Sequence, residues 1–211
     1  MLLKELREQI VEAGVRLVEG HLTYLSSGNI SARDPESGLI AIKPSGGDYL
    51  ELTPEDILVI DDEGDVIEGA GRPSSETPMH TLVYRRRDDV NGAIHTHSPV
   101  ATAWSVAGRE IPPVTVGQAL TEGAIPIAPY RQPGTRAVGE GALEAMGSGF
   151  AVVLQNHGPF VVGQNLRMAL AAAFVVEEAA RVAFYATLLS ERPRLVTEDD
   201  YQRMLGGGSK G

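Results

Sequence analysis

The ten residues "NGAIHTHSPV", 91 to 100, decide how the chain is read. An apolar approach through Ala93 and Ile94 ends on His95-Thr96-His97, in a chain with five histidines in all. In a β-strand, residues i and i+2 share a face. His95 and His97 therefore project side by side, with Thr96 turned away. Two imidazoles so placed can ligate a divalent cation together. The alternative is a pair of half-exposed surface histidines at a strand end. A third ligand has to come from elsewhere in the chain.

Working outward, residues 99 to 107 read as a helix. Downstream, "FAVVLQNHGPFVVG" (150–163) reads as two short strands broken at His157-Gly158-Pro159, and residues 165 to 190 as a long buried helix. Upstream, "PSSETPMHTLVYRRR" (73–87) opens a helix with serines suited to capping. "DILVIDDEGDVIEG" (56–69) is a hairpin joined through Glu63 and Gly64, and "NISARDPESGLIAIKPSG" (29–46) is two strands around a turn. Residues 2 to 19 form an amphipathic helix, with charges among apolar positions, not a signal peptide. "GTRAVGEGALEAM" (134–146) reads as a further helix. Strands dominate the first half and helices punctuate the second. That order favours an α/β layered domain with a mostly antiparallel sheet over a doubly wound parallel one. One domain is expected over residues 1 to 200. The remainder, 201 to 211, ends in "GGGSKG" and is expected to be a disordered tail.

Composition narrows the function. The 211 residues carry a formal net charge of −10, which argues against nucleic acid as a partner. No apolar run approaches the roughly 20 residues of a membrane helix, so a cytoplasmic location is the expectation. Cysteine is absent. Disulfides are thereby excluded, and any metal must take histidine and carboxylate ligands.

The third histidine is His157, at a strand end followed by a forced turn. Together with His95 and His97 it completes a three-histidine set of the zinc type with an open position for substrate. His21 and His80 lie in helical contexts and read as structural, His80 with a supporting place behind the site. Glu76 sits at the start of a helix. Capping explains it, as it explains Ser74 and Ser75, but the same geometry offers hydroxyls and free amides to an anion. The small-residue loops "SSGN" and "KPSGG" let backbone approach a ligand closely. Asn29 would donate a side-chain amide there, Ser45 a hydroxyl and Gly46 a backbone N–H. No GxGxxG or Walker A pattern is present, so nucleotide binding has no support.

"SSGNIS", "IKPSG", "PSSETPMH", "AIHTHS", "IPIAPYRQPGT" and "LQNHGPFVVG" occur in the order found in the class II aldolase/adducin family. Over roughly residues 5 to 190 the chain resembles that family. The resemblance implies a three-layer α/β/α domain with a central antiparallel sheet. It implies Zn2+, or Mn2+ or Co2+, held by His95, His97 and His157, with Glu76 as the catalytic acid/base. It implies a substrate phosphate held by Gly28, Asn29, Ser45, Gly46, Ser74 and Ser75. The activity implied is cleavage of a ketose 1-phosphate, of the L-fuculose-1-phosphate kind, to dihydroxyacetone phosphate and an aldehyde, in a homotetramer with active sites at subunit interfaces. The family also includes 4-epimerases, which carry aspartate at the position of Glu76, and non-catalytic adducin-like scaffolds. One departure concerns the tyrosine that protonates the leaving aldehyde's oxygen in fuculose-type aldolases. Val116 stands at the matching position, and Tyr201 is an unaligned candidate for a second tyrosine.

Overall fold

A computed structural model describes residues 1–206 of the chain. Eight strands form one sheet: β1 (Asn29–Arg33), β2 (Ile40–Ile42), β3 (Leu58–Ile60), β4 (Val66–Glu68), β5 (Gly92–His95), β6 (Ile127–Ala128), β7 (Ala151–Leu154) and β8 (Gly158–Gly163). Their spatial order is β4-β3-β2-β1-β5-β8-β7-β6. Every neighbouring pair is antiparallel except β6 with β7.

The period-2 alternation of the strands sorts their side chains into two cores. Ile30, Ala32, Ile94, Val153 and Val161 join the core built with α1 (Lys4–Glu19), α3 (Pro99–Val106) and α5 (Leu166–Leu189). Ile40, Ile42, Ala93, Val152, Phe160 and Val162 join the core built with α2 (Thr77–Arg86) and α4 (Arg136–Met146). The sheet is thus the middle of three layers, the expected α/β/α arrangement. Central strands covered on both faces explain why "GAI" (92–94) and "FVVG" (160–163) are apolar throughout. Among the described residues, no helix is long and apolar enough to cross a membrane.

Two expectations need correction. The tail was expected to be disordered from residue 201, yet α6 spans Glu198–Gly206. Tyr201 is only 2% exposed, and its hydroxyl donates to the Thr115 carbonyl at 2.8 Å. One buried aromatic ring and an N-terminal turn of Glu198, Asp199 and Asp200, favourable to the helix dipole, order a segment whose glycines point the other way. Residues 207–211 of the expected tail lie outside the described residues. His21 is not helical. It follows α1 with φ of 58° and is exposed.

Candidate active site

β1, β5 and the β7–β8 turn converge where two strands end together. Asn29 pairs with His95 across β1 and β5, and His95 pairs with Phe160 of β8. This register brings His157, in the turn before β8, over the end of β5. Gly28 precedes β1 with φ of +71°, and a Cβ there would lie 2.5 Å from the His95 carbonyl oxygen. Only glycine lets the "SSGN" loop pass so close.

His95 is fully buried, and its Nδ1–H donates to the Pro159 carbonyl at 2.8 Å. A carbonyl only accepts, so Nε2 of His95 carries a lone pair. The Nε2 atoms of His97 and His157 lie 3.1 and 3.2 Å from it. Burial and the two neighbouring rings push His95 well below the usual histidine pKa. Burial followed by His157 pushes His97 down, with Glu76 pulling the other way. The potential ligand atoms of the three residues all lie within 4.8 Å of one another.

Glu76 occupies the N-cap position of α2, but its side chain makes no capping bond. Ser74 Oγ instead accepts from the Glu76 N–H at 3.2 Å. The carboxylate turns inward, with Oε2 3.4 Å from His95 Nε2 and Oε1 3.6 Å from His157 Nε2. Oε1 is buried without a hydrogen-bond partner. Converging imidazole nitrogens beside an unsatisfied buried carboxylate oxygen form a donor set that fits a divalent cation.

A cleft of about 230 Å³ opens above this floor. It is lined by Ser26, Ser27, Gly28, Asn29, Lys43, Pro44, Ser45, Gly46, Ser74, Ser75, Glu76, His97, Pro133 and His157. All six residues expected to meet a phosphate are here. Asn29 lines the cleft as expected and has a further part. Its Nδ2 donates to Glu76 Oε2 at 2.9 Å and its Oδ1 faces His80 Nε2 at 2.5 Å. One N–H of the amide holds the carboxylate, and the other is left for a ligand.

Lys43 was missed. It follows β2 and is 1% exposed, with Nζ donating to the carbonyls of Ser26 and Pro44 at 3.3 and 3.2 Å. Burial lowers its pKa to about 8, with Asp48 opposing. The signal was a lone lysine directly after the buried strand "IAI", where an unpaired charge is costly. Val116, in contrast, is 67% exposed. It opens a 3₁₀ helix, Val116–Thr121. Tyr201 does not line the cleft, and its hydroxyl proton is engaged with Thr115. A larger cleft of about 550 Å³ lies between α1 and the start of α5, lined by exposed groups such as Gln9, Glu12, Arg16 and Arg167. Among the described residues, no set of buried, converging polar groups faces it.

Comparison with known proteins gives the same picture. The family model described as "Class II Aldolase and Adducin N-terminal domain" matches residues 8–184. A 5-deoxy-D-ribulose 1-phosphate aldolase of Bacillus thuringiensis serovar kurstaki is 39% identical, over 97% of this chain and 95% of its own. An L-ribulose-5-phosphate 4-epimerase UlaF of Salmonella paratyphi B is 36% identical, over 94% of this chain and 92% of its own. Among solved structures, an L-fuculose 1-phosphate aldolase superposes with a TM-score of 0.93 at 33% identity, over 98% of this chain and 97% of that one. The chain belongs to the class II aldolase and adducin N-terminal domain family.

Proposed function

We propose that this protein is a metal-dependent class II aldolase that cleaves a ketose 1-phosphate to dihydroxyacetone phosphate and an aldehyde. The observation that carries the reading is the placement of Glu76. Its carboxylate caps nothing, lies against the histidine triad, and forms the floor of a cleft rimmed by hydroxyls, glycines and Lys43. The 39% identity to a protein named as a ketose 1-phosphate aldolase supports the same choice.

His95, His97 and His157 would hold the ion, with Zn2+ suited to an all-histidine set. When bound, such an ion supplies Lewis-acid polarisation of the substrate carbonyl. The chain's own residues do the rest. Ser45, Gly46, Ser74, Ser75 and Lys43 face the phosphate, whose remote binding energy fixes the register of the reacting carbons. The C3–C4 bond breaks with its electron pair remaining on C3. The C4 hydroxyl gives up its proton as the aldehyde forms, the Glu76 carboxylate takes one up, and C3 then receives it from Glu76, so that protons balance.

Assembly as a homotetramer, with cleft residues near subunit contacts, belongs to the same reading. Phe184, Tyr185, Leu188 and Leu189 on α5 are exposed, as are Val116, Leu120 and Tyr130 between α3 and α4. Surfaces of this kind favour burial against a neighbouring copy, and light scattering measures the stoichiometry. The deciding experiment assays dihydroxyacetone phosphate release from 5-deoxy-D-ribulose 1-phosphate and L-fuculose 1-phosphate, beside epimerisation of L-ribulose 5-phosphate. Release from either 1-phosphate without epimerisation supports the aldolase. Epimerisation alone replaces it with the epimerase reading.

A further inference from the structure

Behind the floor of the cleft, buried polar side chains run in single file from Tyr84 to Glu76. The Tyr84 hydroxyl lies 2.8 Å from Ser31 Oγ, which lies 2.6 Å from His80 Nδ1. His80 Nε2 lies 2.5 Å from Asn29 Oδ1, and Asn29 Nδ2 lies 2.9 Å from Glu76 Oε2. Tyr84, Ser31, His80, Asn29 and Glu76 are all 6% exposed or less. The file exists because two periods interlock. Glu76, His80 and Tyr84 recur every four residues along α2, on one helix face, and Asn29 and Ser31 recur every two along β1, on one strand face.

Chemistry assigns the direction of each bond. A carboxylate oxygen only accepts, so the Asn29 amide presents Nδ2–H to Glu76 and Oδ1 to His80. Oδ1 also only accepts, so His80 carries its proton on Nε2. Burial, outweighing the pull of Glu76, takes the His80 pKa down to about 3, so the ring is neutral and Nδ1 is bare. Nδ1 then accepts from Ser31 Oγ–H, and Ser31 Oγ accepts from the Tyr84 hydroxyl. Every donor in the file points toward Glu76.

We propose that His80 is the positioning residue for Glu76, locking the Asn29 amide on Oε2 so that Oε1 is the oxygen that exchanges the proton with substrate. Oε1 is the carboxylate oxygen left without a hydrogen-bond partner. A carboxylate with both oxygens free would rotate between equivalent poses, whereas the file pins one oxygen and presents the other. Turning His80 to its other tautomer would invite the Asn29 amide to flip and set an oxygen against Oε2. Because Ser31 occupies Nδ1, that tautomer also leaves the Ser31–Tyr84 pair to reverse. The inference rests on the reading of Glu76 as acid/base.

The test has two arms. In the first, nitrogen NMR of histidine-labelled wild-type protein reports the His80 tautomer directly. A ring protonated on Nε2, bare on Nδ1 and unchanged from about pH 5.5 to 8.5 is expected. A ring protonated on Nδ1, or one that titrates in that range, overturns the proposal without reference to activity. In the second, solvent proton exchange at C3 of dihydroxyacetone phosphate is followed in His80→Leu, His80→Gln and Tyr84→Phe. His80→Leu should lose about 10- to 100-fold in maximal exchange rate with its KM and metal content unchanged. His80→Gln, which keeps a donor for Asn29, should recover most of the loss, and Tyr84→Phe should lose less than His80→Leu. Wild-type exchange in His80→Leu overturns the proposal, as does a loss that Gln does not relieve. Should His80→Leu fail to fold, the comparison of His80→Gln and Tyr84→Phe with wild type carries the same decision, both retaining the donor to Asn29 and nearly full rate. Absence of exchange in the wild type itself removes the acid/base reading, and the assignment of Oε1 with it, while the NMR arm still decides the bond order.

Discussion

The floor and the rim of the cleft are built on opposite plans. The floor sets His95, His80, Asn29 and Glu76 on strand ends and a helix start, all 6% exposed or less, and almost every polar atom is engaged. The rim is made of loops. Ser26, Ser27, Ser45, Gly46, Ser74 and Ser75 line it with small groups, which under the proposed reading let backbone approach a phosphate. A buried, hydrogen-bonded floor fixes direction, which proton transfer and metal ligation need. A small-residue rim supplies proximity and tolerates variation. Substitutions in the two regions should therefore fail differently, the floor through chemistry and the rim through binding.

The largest effect is expected at the triad. His157→Ala or His95→Ala should reduce bound divalent ion from on the order of one per chain to none and take cleavage to background. Metal analysis of purified protein checks this, and full activity without stoichiometric metal would end the metal reading. Glu76→Gln comes next. It should retain metal and phosphate affinity but lose roughly 10²- to 10⁴-fold in cleavage rate. Because the side chain caps nothing, unfolding by denaturant should shift by only about 1 kcal/mol or less. Single-turnover cleavage separates the two outcomes. A rate near that of wild type would remove Glu76 from the mechanism.

Much of the floor was legible because its signals are local. A spacing of two puts His95 and His97 together, His95 ending β5 and His97 lying just past it, and a His-Gly-Pro turn marks a strand end. The sheet was legible for a similar reason: alternation and turn residues at "DPESG" and "DEGD" define hairpins, and β1 to β4 follow them. What was not legible depends on long-range partners. Asn29 is an amide that can donate or accept, and only the packing of α2 on β1 shows that it serves Glu76. Lys43 has a local signal in the buried strand before it, but its setting shows only when Tyr49 is found beneath it, the Nζ standing 4.8 Å from the ring centroid. Tyr201 is ordered by Gly123 and Thr115, some eighty residues away in sequence. No local pattern carries such a contact, so the glycine-rich composition around it misled.

Two glycines make a finer test of floor against rim. Gly28 and Gly46 both have positive φ, +71° and +81°, but a Cβ on Gly28 meets the His95 carbonyl whereas one on Gly46 meets nothing within 4 Å. Alanine at either position costs about 1–2 kcal/mol for the left-handed backbone. At Gly28 the clash adds to that and displaces the strand end carrying His95. Gly28→Ala should therefore lose more stability than Gly46→Ala in urea and should also lose metal. Gly46→Ala should keep its metal and raise KM alone. Equal losses, or metal loss in Gly46→Ala, would show that floor and rim are one mechanical unit.

The smallest effect expected belongs to Lys43, among the described residues the one lysine or arginine that lines the cleft. Its folded pKa is about 8, below the value near 10.4 of a free lysine. Between these values the unfolded chain binds a proton that the folded chain has released. Stability should therefore rise with pH across that window, and the rise should vanish in Lys43→Met. Substrate binding has the opposite sign. Near pH 7 the ammonium is present to meet a phosphate; as pH climbs through about 8 in the free protein it is lost. A bound dianion draws the pKa back up, so the loss shows in KM before it shows in kcat. Wild-type KM should then rise by several-fold between about pH 7 and 9.5, while that of Lys43→Met is higher at pH 7 and nearly flat. Asp48 opposes the shift and the Tyr49 ring favours the cation, so Asp48→Asn should move the midpoint lower. A KM in Lys43→Met that matches wild type at pH 7 would assign the lysine to the packing of β2 against Tyr49 and leave the rim to bind its anion with neutral donors alone.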